Sequence, residues 1–171
     1  YTGNIGIVGT PAIDTSTNTL YVVARSVSKS GSTFVQYLHA IDIETGQDKV
    51  SPKLITATIP GTGDGNVGNV ISFDPQKENQ RPGLLLYDST IYICWSSHCD
   101  WGPYHGWVIA YDPLTLQQKY VYNDTPDGGL GGIWMSGQPP SVDEDGNLII
   151  TTGNGTVGQN ANPNDTVNRG N

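Results

Sequence analysis

The stretch Ser96-Ser97-His98-Cys99-Asp100-Trp101-Gly102-Pro103-Tyr104-His105-Gly106-Trp107 gathers two His, one Cys, one Asp, two Trp and a Tyr into twelve residues. Imidazole titrates near neutral pH, so His98 or His105 could act as a general acid or base. With Cys99 and Asp100 they could equally ligate zinc or copper, since imidazole and thiolate suit those metals. Their spacing matches no recognised zinc pattern, and hydrogen-bonded histidines filling an aromatic-rich loop are the competing reading. An apolar run ends at Trp95 and another begins at Val108, so strands hold the loop at both ends, the usual layout of a site on a scaffold.

Cys94 and Cys99 leave three states open: a disulfide, a buried thiol beside a loop thiol, or metal ligation. Asn123-Asp124-Thr125, Asn154-Gly155-Thr156 and Asn164-Asp165-Thr166 fit the N-glycosylation pattern and give slight support to secretion. Gly61-Thr62-Gly63-Asp64-Gly65-Asn66-Val67-Gly68 has G-x-G-x-x-G spacing. The next residues, Asn69 to Phe73, read as strand with no helix behind it, so a dinucleotide site is rejected. Asp143-Glu144-Asp145-Gly146-Asn147 starts like a calcium loop, but Asn154 stands where the bidentate Glu belongs, and a hairpin turn is the better reading.

The elements that must position these residues are short. The chain has 171 residues with 22 Gly and 11 Pro, 36% hydrophobic and 14% charged, a composition that punctuates the fold with turns and leaves no room for long helices. A net charge of -8 argues against nucleic-acid and anionic-membrane partners. No apolar run reaches the roughly 20 residues of a membrane helix. The sequence starts at Tyr1 with no initiating Met or signal peptide, and reads as a processed product or a fragment.

Strands are expected at Leu20 to Ala24, Phe34 to Ile41, Leu54 to Ile59, Ile91 to Trp95, Val108 to Tyr111 and Leu148 to Thr152. Turns are expected at Asp14 to Asn18, Asp42 to Gly46, Asp88-Ser89, Asp112 to Thr115 and Asp143 to Asn147. Leu20, Ile91 and Leu148 occupy equivalent places, as do Asp42 and Asp112, with spacings of 71 and 57 in the first set and 70 in the second. Such all-β repeats indicate propeller blades, about 5–60, 80–125 and 131–171. Propellers close with about four to eight blades. The fold class expected is therefore all-β, about three blades of a larger ring, completed by missing sequence or another chain.

The frame Pro-x-Ile-Asp, Leu-Tyr-Val, Ala-Ile-Asp-Ile-Glu-Thr-Gly resembles the repeat of pyrroloquinoline-quinone (PQQ) type propellers, the quinoprotein alcohol dehydrogenase-like family. The second copy, Trp107 to Thr115, is followed by Leu116 where the family's turn has Gly. Gly131-Gly132-Ile133-Trp134 followed by Thr151-Thr152-Gly153-Asn154-Gly155 is a more specific match. The resemblance implies that Trp134 stacks on the PQQ ring and that Asn154 and Asp100 ligate calcium. Asn168-Arg169-Gly170-Asn171 is similar to an Arg-Pro-Gly-Asp-Asn element but lacks its Pro and Asp. The family's adjacent-cysteine disulfide is absent, and its catalytic Asp would lie beyond Asn171.

A hard cation needs oxygen ligands and polarises a quinone carbonyl for hydride transfer, and a flat cofactor needs an aromatic face. Without a cofactor, Trp134 caps the core, Asn154 turns a Gly-rich loop and Asp100 bonds nearby amides. Two functions are open: a secreted or periplasmic PQQ- and calcium-dependent dehydrogenase acting on a small alcohol or sugar, or a non-catalytic propeller that binds protein or glycan or assembles into a surface structure.

Overall fold

The computed structural model describes residues 6–156. The chain is all-β, with strands β1 (Ala12–Asp14), β2 (Thr19–Val27), β3 (Phe34–Asp42), β4 (Lys53–Leu54), β5 (Thr58–Pro60), β6 (Val70–Ser72), β7 (Glu78–Asn79), β8 (Leu85–Tyr87), β9 (Thr90–Ser97), β10 (Trp107–Tyr111), β11 (Gln118–Asn123), β12 (Ser141–Val142) and β13 (Leu148–Ile149). β1-β2-β3-β4 form one antiparallel sheet, and β11-β10-β9 form a second whose far edge is shared by β8 and β7. Two hairpins, β5-β6 and β12-β13, complete the set. No closed ring is formed among the described residues, and the arrangement is consistent with part of a propeller.

The turns that define the repeat are built atom for atom alike. Asp42 Oδ1 accepts from Glu44 N, Thr45 N and Thr45 Oγ1, and Asp112 Oδ1 accepts from Leu114 N, Thr115 N and Thr115 Oγ1. These donors hold both carboxyls below the usual Asp range, the backbone N–H of Thr45 and of Thr115 foremost. Each turn closes at a left-handed residue, Gly46 at φ 72° and Leu116 at φ 54°. Leu116 keeps that conformation because its side chain is fully buried in the core, which offsets the steric penalty on a residue with a Cβ. The hairpins Ile13↔Leu20, Leu86↔Ile91 and Val142↔Leu148 likewise pair at equivalent positions.

Equivalent residues of the two large sheets face the same way along the stack. Tyr21, Val23, Leu38 and Ala40 of the first sheet pack against Ile91, Ile93, Trp95, Trp107, Ile109 and Tyr111 of the second in one core. The second sheet's counterparts of the first group, Tyr92, Cys94 and Val108, instead meet Ile133, Met135 and Ile150. The first sheet's counterparts of the second group are Leu20, Ala24, Tyr37, His39 and Ile41, which are half-buried, and Val22, which is buried. Each sheet thus presents one face forward and the other backward, a head-to-tail stack.

Phe73 wedges edge-on against Trp95 and Trp107 at 5.1 and 6.0 Å. Gln36 of β3 ties the two sheets together: its Oε1 accepts from Trp95 Nε1 and its Nε2 donates to the carbonyls of Pro75 and Glu78.

The structure corrects some expected elements. The run Leu54 to Ile59 is two short strands, because Leu54 pairs with Tyr37 in the first sheet and Thr58 with Ser72 in the β5-β6 hairpin. The chain changes partner midway. Gly61 to Gly68 lies within that hairpin's loop. A Cβ at Gly61 or Gly63 would sit 2.2 or 2.3 Å from the carbonyls of Pro126 or Gly128, so close backbone approach accounts for those two glycines. Asp143 accepts the N–H groups of Asp145 and Asn147, and the calcium-like stretch is a hairpin turn.

Candidate functional site

The loop between β9 and β10 folds back on itself through left-handed Cys99 and Asp100, both at φ 54°. Tyr104 is buried and donates its hydroxyl to Asp100 Oδ1 at 2.7 Å. Its ring edge lies near Gly132, where a Cβ would be 3.1 Å from Tyr104 Cε2 and 3.3 Å from Trp134 Nε1. On the other side, a Cβ at Gly153 would be 2.5 Å from Trp134 Nε1. Gly132 and Gly153 are therefore glycines because the half-buried indole of Trp134 lies against their backbone.

The two Gly-rich stretches are laced together. Gly131 N donates to Asn154 O, Gly153 N to Gly132 O, and Ile133 bridges Thr152. Asp100 connects to these stretches through Tyr104 and Asn154 through its backbone carbonyl, and the side chains of both are exposed. Asp100 and Asn154 carry hard oxygen donors and Trp134 an aromatic face, the kinds of group that calcium and a flat quinone require. Among the described residues no three of His, Cys, Asp and Glu group as a metal site.

His98 and His105 go elsewhere. His98 Nε2 lies 2.8 Å from Arg25 Nη1, and because the guanidinium can only donate, the imidazole accepts and is neutral. Burial, then the Arg25 charge, holds its pKa down to about 4. His105 is buried, with Nδ1 at 2.9 Å from Thr125 Oγ1 and Nε2 at 2.9 Å from Asp64 O. Burial lowers its pKa too. Both rings serve as internal props of the loop, and the four candidate transition-metal ligands do not converge. Cys94 and Cys99 are separate thiols with no disulfide between them, Cys94 buried and pushed up to about 12 by that burial, Cys99 exposed.

Two buried carboxyls carry no sequence signal. Glu78 Oε1 accepts from His105 N and Trp107 Nε1, both at 3.2 Å, while its Oε2 is buried without a partner. Burial drives its pKa well above the usual Glu range. Asp124 Oδ1 accepts from Gly106 N at 3.0 Å, and Oδ2 is buried without a partner. Desolvation raises Asp124 to about 8. Gly106 and Gly131 make room for it: a Cβ at either would meet its carboxylate oxygens at 2.3 and 2.7 Å. Both acids stand outside the motif-bearing loop, and a carboxylate bound for the interior has no pattern of its own in the chain.

The sequon at Asn123 is corrected by the same burial. Asn123, Asp124 and Thr125 are 5%, 0% and 0% exposed, and a glycan has no space there in the folded chain. Asn154 is exposed. The sequon at Asn164 and the Asn168 to Asn171 element lie outside the described residues.

No protein-family model and no curated protein matches the sequence. Among solved structures the chain is similar to the quinohemoprotein alcohol dehydrogenase from Comamonas testosteroni, at 17% identity and a TM-score of 0.39, over 89% of this chain and 30% of that one.

Proposed function

We propose that this chain is a stretch of a PQQ-type β-propeller whose ring is completed by further repeats, in this polypeptide or another. The observation that supports it is the head-to-tail stacking. The second sheet's backward face is covered by the first sheet, whereas on the equivalent face of the first sheet Leu20, Tyr37, His39 and Ile41 are half-buried around a buried Val22. A preceding repeat would cover that face in the same way.

Within that ring, Asp100, Trp134 and Asn154 form one wall of a PQQ and calcium site in an alcohol or sugar dehydrogenase acting outside the cytoplasm, secreted or periplasmic. Trp134 supplies the aromatic face, Asn154 and Asp100 the oxygen donors, and the Tyr104 hydroxyl orients Asp100. Bound there, the cofactor and cation would supply a polarised quinone carbonyl that accepts hydride. A second reading, a non-catalytic propeller that binds protein or glycan, is favoured by one observation: both histidines of the loop have ring nitrogens committed to partners inside the fold.

A thermal-shift titration of the chain with calcium and PQQ, separately and together, decides between them. A ligand that binds only the folded state raises the melting temperature by mass action. The dehydrogenase reading expects a joint rise that Trp134→Ala removes. No rise at saturating ligand leaves the binding propeller.

A further inference from the structure

Asn154-Gly155 is the single Asn-Gly pair in the sequence. An asparagine can close a ring onto the next backbone nitrogen, and a following residue without a Cβ leaves that approach uncrowded. The pair sits where the two Gly-rich stretches are laced together, and the lacing decides which of its groups are occupied. Gly155 bridges Leu130 in antiparallel fashion, with Gly131 N donating to Asn154 O at 2.6 Å and Thr156 N to Gly129 O at 3.1 Å. In that register the N–H of Gly155 itself points away from the facing strand.

Neither the Gly155 N–H nor the Asn154 side-chain amide makes a hydrogen bond among the described residues. Asn154 is exposed and Gly155 half-buried, so water and hydroxide reach the pair. Two other asparagines differ on both counts. The amide of Asn66 is held by the carbonyls of Thr62 and Gly63, and that of Asn147 by Asp143 Oδ2. They are followed by Val67 and Leu148, whose side chains crowd the backbone nitrogen.

We propose that Asn154 is a site of covalent modification, a spontaneous deamidation that runs in the folded chain. Gly155 N attacks Asn154 Cγ, the Cγ–Nδ2 bond breaks, and Nδ2 leaves as ammonia with the proton that Gly155 N gives up. Water then opens the cyclic imide. Opening at Cγ gives aspartate, and opening at the former backbone carbonyl gives isoaspartate, whose main chain runs through Cγ and has gained a methylene. Hydroxide removes the N–H proton, so the rate rises with pH. Either product adds a negative charge to the stretch whose Gly153 lies against Trp134. In isoaspartate the new carboxylate is the former Asn154 carbonyl, the acceptor of Gly131 N, so the link between the two Gly-rich stretches is rebuilt on a longer chain.

The site needs no cofactor, cation or closed ring, so its test fails or succeeds separately from the thermal-shift titration. The folded chain is incubated without added metal at mildly acidic and at mildly alkaline pH, and each asparagine is followed by tandem mass spectrometry that distinguishes aspartate from isoaspartate. The expected result is conversion of Asn154, faster at alkaline pH, with Asn66 and Asn147 intact. Gly155→Ala should slow it. Should that variant fail to fold, Asn154→Gln decides: it changes an exposed side chain at little cost in stability and should lower the ammonia released. An Asn154 that stays intact in the folded chain while the urea-unfolded chain converts it would overturn the proposal. So would conversion of Asn66 or Asn147 at the same rate, or ammonia release undiminished in Asn154→Gln.

Discussion

In the first sheet the connection from β2 to β3 is an exposed loop, Ser28 to Thr33, closed on itself by serine hydroxyls. In the second sheet the connection from β9 to β10 turns inward, burying Tyr104 and His105. The far ends of the two sheets remain the same, down to the three bonds on each turn aspartate. The comparison teaches where a repeat can diverge. The turn on the outer side sets strand register and stays, while the opposite loop is free to acquire a site. What draws the second loop inward is a pair of buried carboxyls from outside it, Glu78 on the amide of His105 and Asp124 on the amide of Gly106. The first sheet's loop has no such anchor among the described residues.

The largest expected difference between the sheets lies at equivalent core positions. Ile109→Ala should cost about 2–5 kcal/mol in urea unfolding, as a large-to-small change in a packed interior does. His39→Ala, its counterpart on the half-open face, should cost at most about 1 kcal/mol, since it removes a partly exposed pairing with Asp48 and an edge contact with the half-buried Tyr37 ring. Equal costs would mean that the two faces are equally buried and would remove the main support for a preceding repeat.

A smaller effect, with a clear sign, separates the two loops. Asp124 is raised in the folded state, so its protonated form is favoured there. Its contribution is full below the unfolded Asp pKa of about 4 and is lost as pH rises through about 8. Asp124→Asn should therefore raise the melting temperature at pH 8 and flatten the decline between pH 4 and 8. A variant that instead melts lower at pH 8 than the parent would show that the carboxylate is satisfied.

The smallest expected effect concerns the turns. Gly46→Ala adds a Cβ that meets nothing within 4 Å, so its cost is backbone strain alone, about 1–2 kcal/mol at the left-handed position. A cost near zero would mean that the turn relaxes, and that Leu116 needs no burial to hold its place.

Much of the frame can be read from residues. The aspartate turns and the strands Leu20 to Ala24, Ile91 to Trp95 and Val108 to Tyr111 recur with clear alternation or apolar runs. β11 escapes such reading because Gln118-Lys119-Tyr120-Val121-Tyr122 is an edge strand, exposed along most of its length, with no apolar face to announce it. β7 escapes it because a two-residue pair inside a polar run carries no period. The two Gly-rich stretches that the sequence singles out around Trp134 do meet, with the indole against Gly132 and Gly153. The roles of His98 and His105 are not legible, because their partners, Arg25, Asp64 and Thr125, lie 73, 41 and 20 positions away. Residue type supplies a candidate for chemistry, and only long-range packing decides whether its polar atoms are already committed.

The opposed faces of the two sheets carry a consequence for assembly. A stack in which forward and backward surfaces differ has a direction, like a filament with distinct ends, and each added unit recreates the surface that the next one needs. Such a pattern holds no instruction to stop. In the ring proposed above, termination would come from geometry, by a curvature that returns the last unit to the first, so the number of units would be set by the wedge angle between neighbours and not by any residue within one of them.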